Sequence, residues 1–372
     1  MKALLYFFWL SCITDAAFAQ NTADCEKAME LYEAGNYDKA LFLQQQCVAA
    51  HPMDGKAYYN RGRIWYQLKD TEKALEDYKQ AIKYSPDFLQ SYFALSEHYL
   101  GMKDVESSLK WISDAIAQRP EISMNYNFRG WIYFNTGRYQ QAFKDFSEAI
   151  LKDSTNAMAY NNRGSARFSI QDVEQASKLD LEMAKLDFQK ALSLDSSLPN
   201  LYRNLGYVYL LLGESDSALL LLSMAANVDA EDAMVYLYKG MAYQQLSQST
   251  EAIQALDKAI SLYPRLSEAY IEKGKILYRK KNYQAARFNM GKVLEFADKH
   301  AADAHYLLAL INAQLFEQDE MIQHLKEAEK GGFFKKSANR QEFFSEAGFK
   351  DFKHYKPFEA FSNKIQTLYT SP

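Results

Sequence analysis

Residues 56–86 read KAYYNRGRIWYQLKDTEKALEDYKQAIKYSP, and their spacing decides the fold. Tyr58 and Gly62 stand one helical turn apart. Ala74, Tyr78 and Ala81 then share the i, i+4, i+7 face of a second helix, and Pro86 ends it. Small residues on two consecutive helices let their backbones approach closely, and a large residue one turn away fills the space beside the contact. Proline stops a helix because it lacks an N–H and restricts the residue before it. The stretch is therefore a helical hairpin.

The same pattern recurs along the chain. Tyr58, Tyr92, Tyr126, Tyr160, Tyr202, Tyr236 and Tyr270 follow one another at 34 residues, with a single interval of 42. Gly62, Gly130, Gly164, Gly206, Gly240 and Gly274 come four residues after their tyrosines, with Ser96 substituting once. Ala40, Ala74, Ser108, Ala142, Ala184, Ala218, Ala252 and Ala286 keep the same step, and Tyr78, Phe146, Phe188, Leu222 and Leu256 form the series of large residues. Pro52, Pro86, Pro120 and Pro264 fall in phase with the tyrosines. A fixed period of this length is the mark of a repeat architecture, in which each unit buries its apolar face only against its neighbours.

These positions resemble the tetratricopeptide repeat family, whose small, large and proline sites match the residues quoted. The resemblance covers roughly residues 21 to 335 and implies an all-α, right-handed α-solenoid of about nine helical hairpins. The repeats fall at 21–54, 55–88, 89–122, 123–156, 157–198, 199–232, 233–266, 267–300 and 302–335, within an array spanning 20–335. Eight residues are inserted in the fifth repeat between Gly164 and Ala184. Gln171–Glu182 contains neither glycine nor proline, so the insertion is expected to add about two helical turns and make that repeat protrude. In the last repeat Met321 replaces the alanine while Ala309 and Ala328 lie near the small positions, as a terminal, capping repeat requires. Residues 336–372 are an aromatic-rich tail. With Phe333 and Phe334 just before it, its Phe343, Phe344, Phe349, Phe352, Phe358 and Phe361 are expected to seal the final hairpin. The alternative role is a docking surface.

Composition sets the remaining bounds. The 372 residues are 48% hydrophobic and 24% charged, enough apolar material for a large core, and only 15 glycines and 7 prolines interrupt them. A net charge of −4 and a pI near 6.0 give no broad attraction to phosphate backbones, so nucleic acid is not the expected partner. At the N-terminus, Lys2, the apolar run Ala3–Leu10 and Ala17-Phe18-Ala19 before Gln20 read as a secretory signal, residues 1–19, with cleavage expected after Ala19. The run is too short to span a bilayer, so the mature chain carries no membrane span. A second reading makes Cys12 the lipid-anchored residue of a lipoprotein. On either reading the chain is expected to be exported, to the periplasm or outside the cell.

Export leaves Cys25 and Cys47 in an oxidising compartment. Cys25 lies early in the first helix of its repeat and Cys47 late in the second, where antiparallel packing brings the ends together, so the two are expected to form a disulfide. Two buried free thiols are the alternative.

No catalytic motif is present: the six histidines form no H-E-x-x-H, no cysteine pair has zinc-ligand spacing, and phosphate-cradling glycine loops and nucleophile elbows are absent. The expectation is no enzyme, no metal and no cofactor. In the resembled family the first helices of successive repeats line the concave face. Their side away from the tyrosine and glycine series holds Tyr59, Asn60 and Arg63, then Phe93 and Glu97, then Asn127 and Trp131. It continues with Asn161, Asn162 and Ser165, then Arg203, Asn204 and Tyr207, then Tyr238. Asparagine both donates and accepts, so it suits the backbone of an extended peptide, and aromatics and arginine are enriched at binding hot spots. The expected function is thus a non-catalytic scaffold binding a protein or peptide in this groove, with a glycan or small-molecule receptor as the alternative. Some family members grip a terminal carboxylate through lysine, asparagine and arginine. Here the corresponding lysine positions hold Cys25, Tyr59, Phe93, Asn127 and Asn161, and the clamp is not reproduced.

Overall fold

The computed structural model of the chain describes residues 24–170, 177–198, 200–297 and 299–370. The signal segment, the cleavage point at Ala19 and Cys12 lie outside them. The described residues contain helices and no strand, and no helix among them is long and apolar enough to cross a membrane. The chain divides into two compact bodies, the first ending at Ala176 and the second starting at Ser177.

The first body is a row of antiparallel hairpins. Helix α1 (24–33) pairs with α2 (Tyr37–Ala50), α3 (Gly55–Gln67) with α4 (Thr71–Tyr84), α5 (Gln90–Gly101) with α6 (Val105–Gln118), and α7 (Ser123–Asn135) with α8 (Tyr139–Lys152); α9 (Ala157–Ser169) packs on α8. In the second body α10 (Lys178–Leu194) packs on α11 (Leu201–Leu211), which pairs with α12 (Ser215–Val228). The hairpins α13 (Ala233–Gln245) with α14 (Ser249–Leu262), α15 (Ser267–Arg279) with α16 (Tyr283–Phe296), and α17 (Ala301–Gln314) with α18 (Gln318–Lys330) follow, then α19 (Ser337–Ser345) and α20 (Lys356–Thr370). Successive first helices also meet, α7 with α9 in one body and α11 with α13, α13 with α15 and α15 with α17 in the other. The first helices therefore form the inner row of each body.

Each hairpin closes where the sequence pattern places small residues. A Cβ on Gly62 would stand 2.7 Å from the Tyr78 ring, one on Gly130 2.8 Å from Phe146, one on Gly206 2.9 Å from Leu222, and one on Gly240 2.6 Å from Leu256. The third hairpin solves the same contact differently. Buried Ser96 donates to the Ser108 carbonyl at 2.9 Å, and the two hydroxyls lie 2.9 Å apart, so serines replace both the glycine and the alanine without an orphaned polar group. The repeated tyrosine ties one hairpin to the one before: Tyr58, Tyr126 and Tyr270 each donate to the carbonyl of the proline six residues earlier, at 3.2, 3.1 and 3.2 Å.

The insertion appears in part. Helix α10 has 17 residues where α8 and α12 have 14, and it starts six residues before Ala184 instead of three, so the described part of the extension is about one turn. Residues 171–176 lie outside the described residues. At the C-terminus Phe333, Phe334, Phe343, Phe349, Phe352, Phe358 and Phe361 are all buried, with Tyr306 stacked on Phe333 at 4.2 Å, while Phe344 is exposed. The tail covers α17 and α18 and so gives the last hairpin the apolar neighbour it lacks. Within the first hairpin Cys25 and Cys47 are joined as a disulfide, Cα atoms 5.4 Å apart.

Two predictions follow from this packing. Alanine at position 130 meets a rigid ring, whereas at Gly274 the Cβ comes close to the flexible end of Met290 at 2.6 Å, with Leu307 in ordinary contact at 3.4 Å. Gly130→Ala should destabilise by about 1–2 kcal/mol despite alanine's better helix propensity, and Gly274→Ala should be near neutral in denaturant melts. Equal effects would refute the ring contact. The disulfide closes 22 residues of chain, worth about 3 kcal/mol, so reduction should speed amide exchange in residues 24–50 roughly a hundredfold without changing residues 301–330.

Candidate binding groove

The inner face of the first body holds an open pocket of about 570 Å³ between α5, α7 and α9. Its floor is apolar: Phe128 and Trp131, at i and i+3 on α7, stack with ring centres 5.9 Å apart and planes 17° from parallel, and Phe93 meets Phe128 edge-on at 5.1 Å. Leu100 and Met158 line the sides and Glu97 stands among them. Trp131 stays 42% exposed although it is the largest side chain of the set. Asn127, by contrast, is only 7% exposed, and its carbonyl oxygen accepts from Asn162 Nδ2 at 3.1 Å, tying α7 to α9. Of the residues expected in the groove, the structure thus brings Phe93, Asn127, Trp131 and Asn162 together. The two asparagines serve largely to hold the first helices in register.

The other expected residues are more committed to packing. Tyr59 lies between Tyr78 and Phe88, at 5.7 and 5.1 Å, and burial raises its phenol pKa. Arg63 lies over the Tyr32 ring at 4.4 Å and pairs with Glu33 at 3.4 Å. Asn60 lines a separate pocket of about 680 Å³ at the N-terminal end, with Cys25, Cys47, Glu26, Glu30 and Asp54. Asn161 is half-buried on α9.

In the second body Arg203 pairs with Asp232 at 2.5 Å, and Tyr207 stacks on Tyr238 at 4.2 Å. Burial, and then the stacked Tyr207, push the Tyr238 phenol well up. Asn204 is half-buried beside them on α11. Along the same inner row His300 Nε2 sits 2.8 Å from Glu268. Asp303 and Glu268 push His300 up to about 9, and the His300 hydrogen bond pulls Glu268 down to about 2. In the last hairpin His305 and His324 share a hydrogen bond at 2.9 Å, and burial first, then His305, lowers His324 to about 4, so this pair stays neutral near neutral pH. No group of three or more His, Cys, Asp or Glu among the described residues is placed to hold a metal ion.

Sequence reasoning missed the charges that lock the hairpins. Arg61, next to Gly62, clasps Asp77 through Nε and Nη2 at 2.8 and 2.7 Å, and Arg129, next to Gly130, clasps Asp145 at 2.7 and 2.8 Å. Arg129 also reaches back to Ser113 at 3.2 Å, as Lys239 does to Ser223 at 3.2 Å and Lys273 to Asp257 at 2.5 Å. The signal was a cation beside the repeat glycine with a partner sixteen residues away on either side. Phe128 and Met158 were missed too, though Phe128 stands one turn from Trp131.

Helical hairpins closed by a small residue against a ring, with first helices inward, match the repeat that sequence comparison finds. Models of the tetratricopeptide repeat match residues 55–88, 125–155 and 237–290. The chain is a tetratricopeptide repeat protein. Anaphase-promoting complex subunit 3 of Schizosaccharomyces pombe is 26% identical over 145 residues, covering 39% of this chain. The match spans 22%, about a fifth, of that relative. Among solved structures, the APC/C hetero-tetramer Cut9-Hcn1 aligns with a TM-score of 0.53 at 18% identity, over 67% of this chain and 48% of that one. A tetratricopeptide repeat protein from Parabacteroides merdae ATCC 43184 aligns with a TM-score of 0.52 at 15% identity, over 69% and 98%. At these identities the likeness is one of fold.

The His300 ion pair gives the inner row of the second repeat body a pH signature. His300 is raised above its ordinary 6.5, so its stabilising contribution is full below that value and is lost as pH rises through about 9. Glu268 is depressed from 4.5, so its contribution is full above that value and is lost as pH falls through about 2. The His300 imidazole should titrate near 9 by NMR and move down in Glu268→Gln. A wild-type midpoint near 6.5 would break the assignment.

Proposed function

We propose that this tetratricopeptide repeat protein is a non-catalytic scaffold that holds a protein or peptide partner against the inner face of its first body, in the periplasm or outside the cell. Tetratricopeptide repeats serve as surfaces for protein and peptide partners. The observation that carries the reading is the pocket of about 570 Å³ with a stacked aromatic pair at its floor and an indole left 42% exposed. A ring of that size ordinarily finds cover unless a partner supplies it. Asn162, whose Nδ2 is given to Asn127, keeps its side-chain oxygen at the edge of the same pocket to accept from a bound backbone. Export is supported by residues 1–19 and by the Cys25–Cys47 disulfide, which persists only where thiols are not kept reduced.

The exposed indole also favours a second reading, a glycan receptor, because sugar rings stack on such faces. A glycan that raises the melting temperature progressively with the logarithm of its concentration would support it over a peptide ligand.

Panning short random peptides displayed on phage against the full chain tests the scaffold. Enriched peptides should lose at least tenfold in affinity for Trp131→Ala with an unchanged melting temperature, since that side chain is half outside the core. Asn127→Ala should instead lower stability, because it leaves the Asn162 amide without its partner. Recovery of no peptide by the wild-type protein sinks the reading.

A further inference from the structure

The same pocket contains a charge that the fold does not use. Glu97 lines it from α5, is exposed, and its carboxylate has no hydrogen bond or ion pair among the described residues. The arginine expected on this face is already engaged: Arg63 is occupied by Tyr32 and Glu33. The remaining surplus is acidic, since the N-terminal pocket is lined by Glu26, Glu30 and Asp54 with Lys56 as the one lysine or arginine in its lining. A free carboxylate and an exposed indole on the wall of one open pocket form two halves of a cation receptor. The π-face attracts a cation, the carboxylate neutralises it, and a planar guanidinium can do both at once by stacking on the ring and directing its N–H groups to the oxygens.

We infer that the pocket formed by Glu97, Phe128, Trp131 and Met158 is the subsite for a basic side chain, arginine above lysine, of an extended peptide. The inference rests on the scaffold reading and names the chemistry of its partner. Stacking on Trp131 places the guanidinium within reach of Glu97, Met158 covers the aliphatic stem, and Asn162 stands at the edge for the adjoining backbone. Carboxylate-bearing peptides are disfavoured by Glu97 and by the acidic pocket nearer the N-terminus.

The peptides enriched on phage by the full wild-type chain decide it. They should share an arginine or lysine at one position. Replacing that residue by alanine in a synthetic copy should weaken binding about tenfold or more in fluorescence anisotropy, with lysine intermediate when arginine was selected. Glu97→Gln should shrink the difference between the basic peptide and its alanine copy severalfold, and added salt should narrow it in the wild type. Peptides that depend on Trp131 yet share no basic residue, or that bind Glu97→Gln unchanged, would overturn this inference and leave the scaffold standing. If the wild-type chain enriches no peptide, the scaffold reading falls and this one with it.

Discussion

The contact between a small residue and a ring or branched side chain across each hairpin governs the rest of the structure. At Gly62, Gly130, Gly206 and Gly240 a methyl group would come within 3 Å of the opposite side chain, so the interaxial distance is set by the absence of a Cβ. Once two helices lie that close, the faces beside the contact are fixed in register. The cation next to the glycine then falls opposite its aspartate, as Arg61 falls opposite Asp77 and Arg129 opposite Asp145. These aspartates are buried, and a bidentate guanidinium satisfies them where a looser hairpin could not.

What lies on the inner face is what this packing leaves over. Positions that could both hold the array together and meet a partner are mostly consumed by the array: Asn127 by Asn162, Arg203 by Asp232, Tyr207 by Tyr238. Trp131 and Glu97 are the exceptions, one too large to be covered by its neighbours and the other lacking a counter-charge. Recognition and architecture draw on the same face, and the groove is narrower in chemical terms than its sequence suggests.

The fold was legible because its determinants are periodic. A tyrosine, a glycine and an alanine that return every 34 residues announce the hairpin without reference to any neighbour. The binding face was less legible because its asparagines carry no mark of whether they point to a partner or to the next helix; Asn127 and Asn162 look alike in sequence and turn out to satisfy each other. The insertion between Gly164 and Ala184 breaks the period, so the repeat pattern says nothing of its form; among the described residues α10 takes up about one turn of it. The third hairpin shows the opposite case, in which Ser96 and Ser108 depart from the pattern singly but are explained as a pair.

The aromatic tail gives the array a direction. A hairpin inserted between two existing ones would find an apolar face on either side, so the protein can lengthen from within by duplication. Nothing can be appended after α18 on the same terms, because Phe334, Phe343 and Phe361 already occupy the ground on which a further hairpin would dock. The tail therefore acts as a terminator as well as a cover.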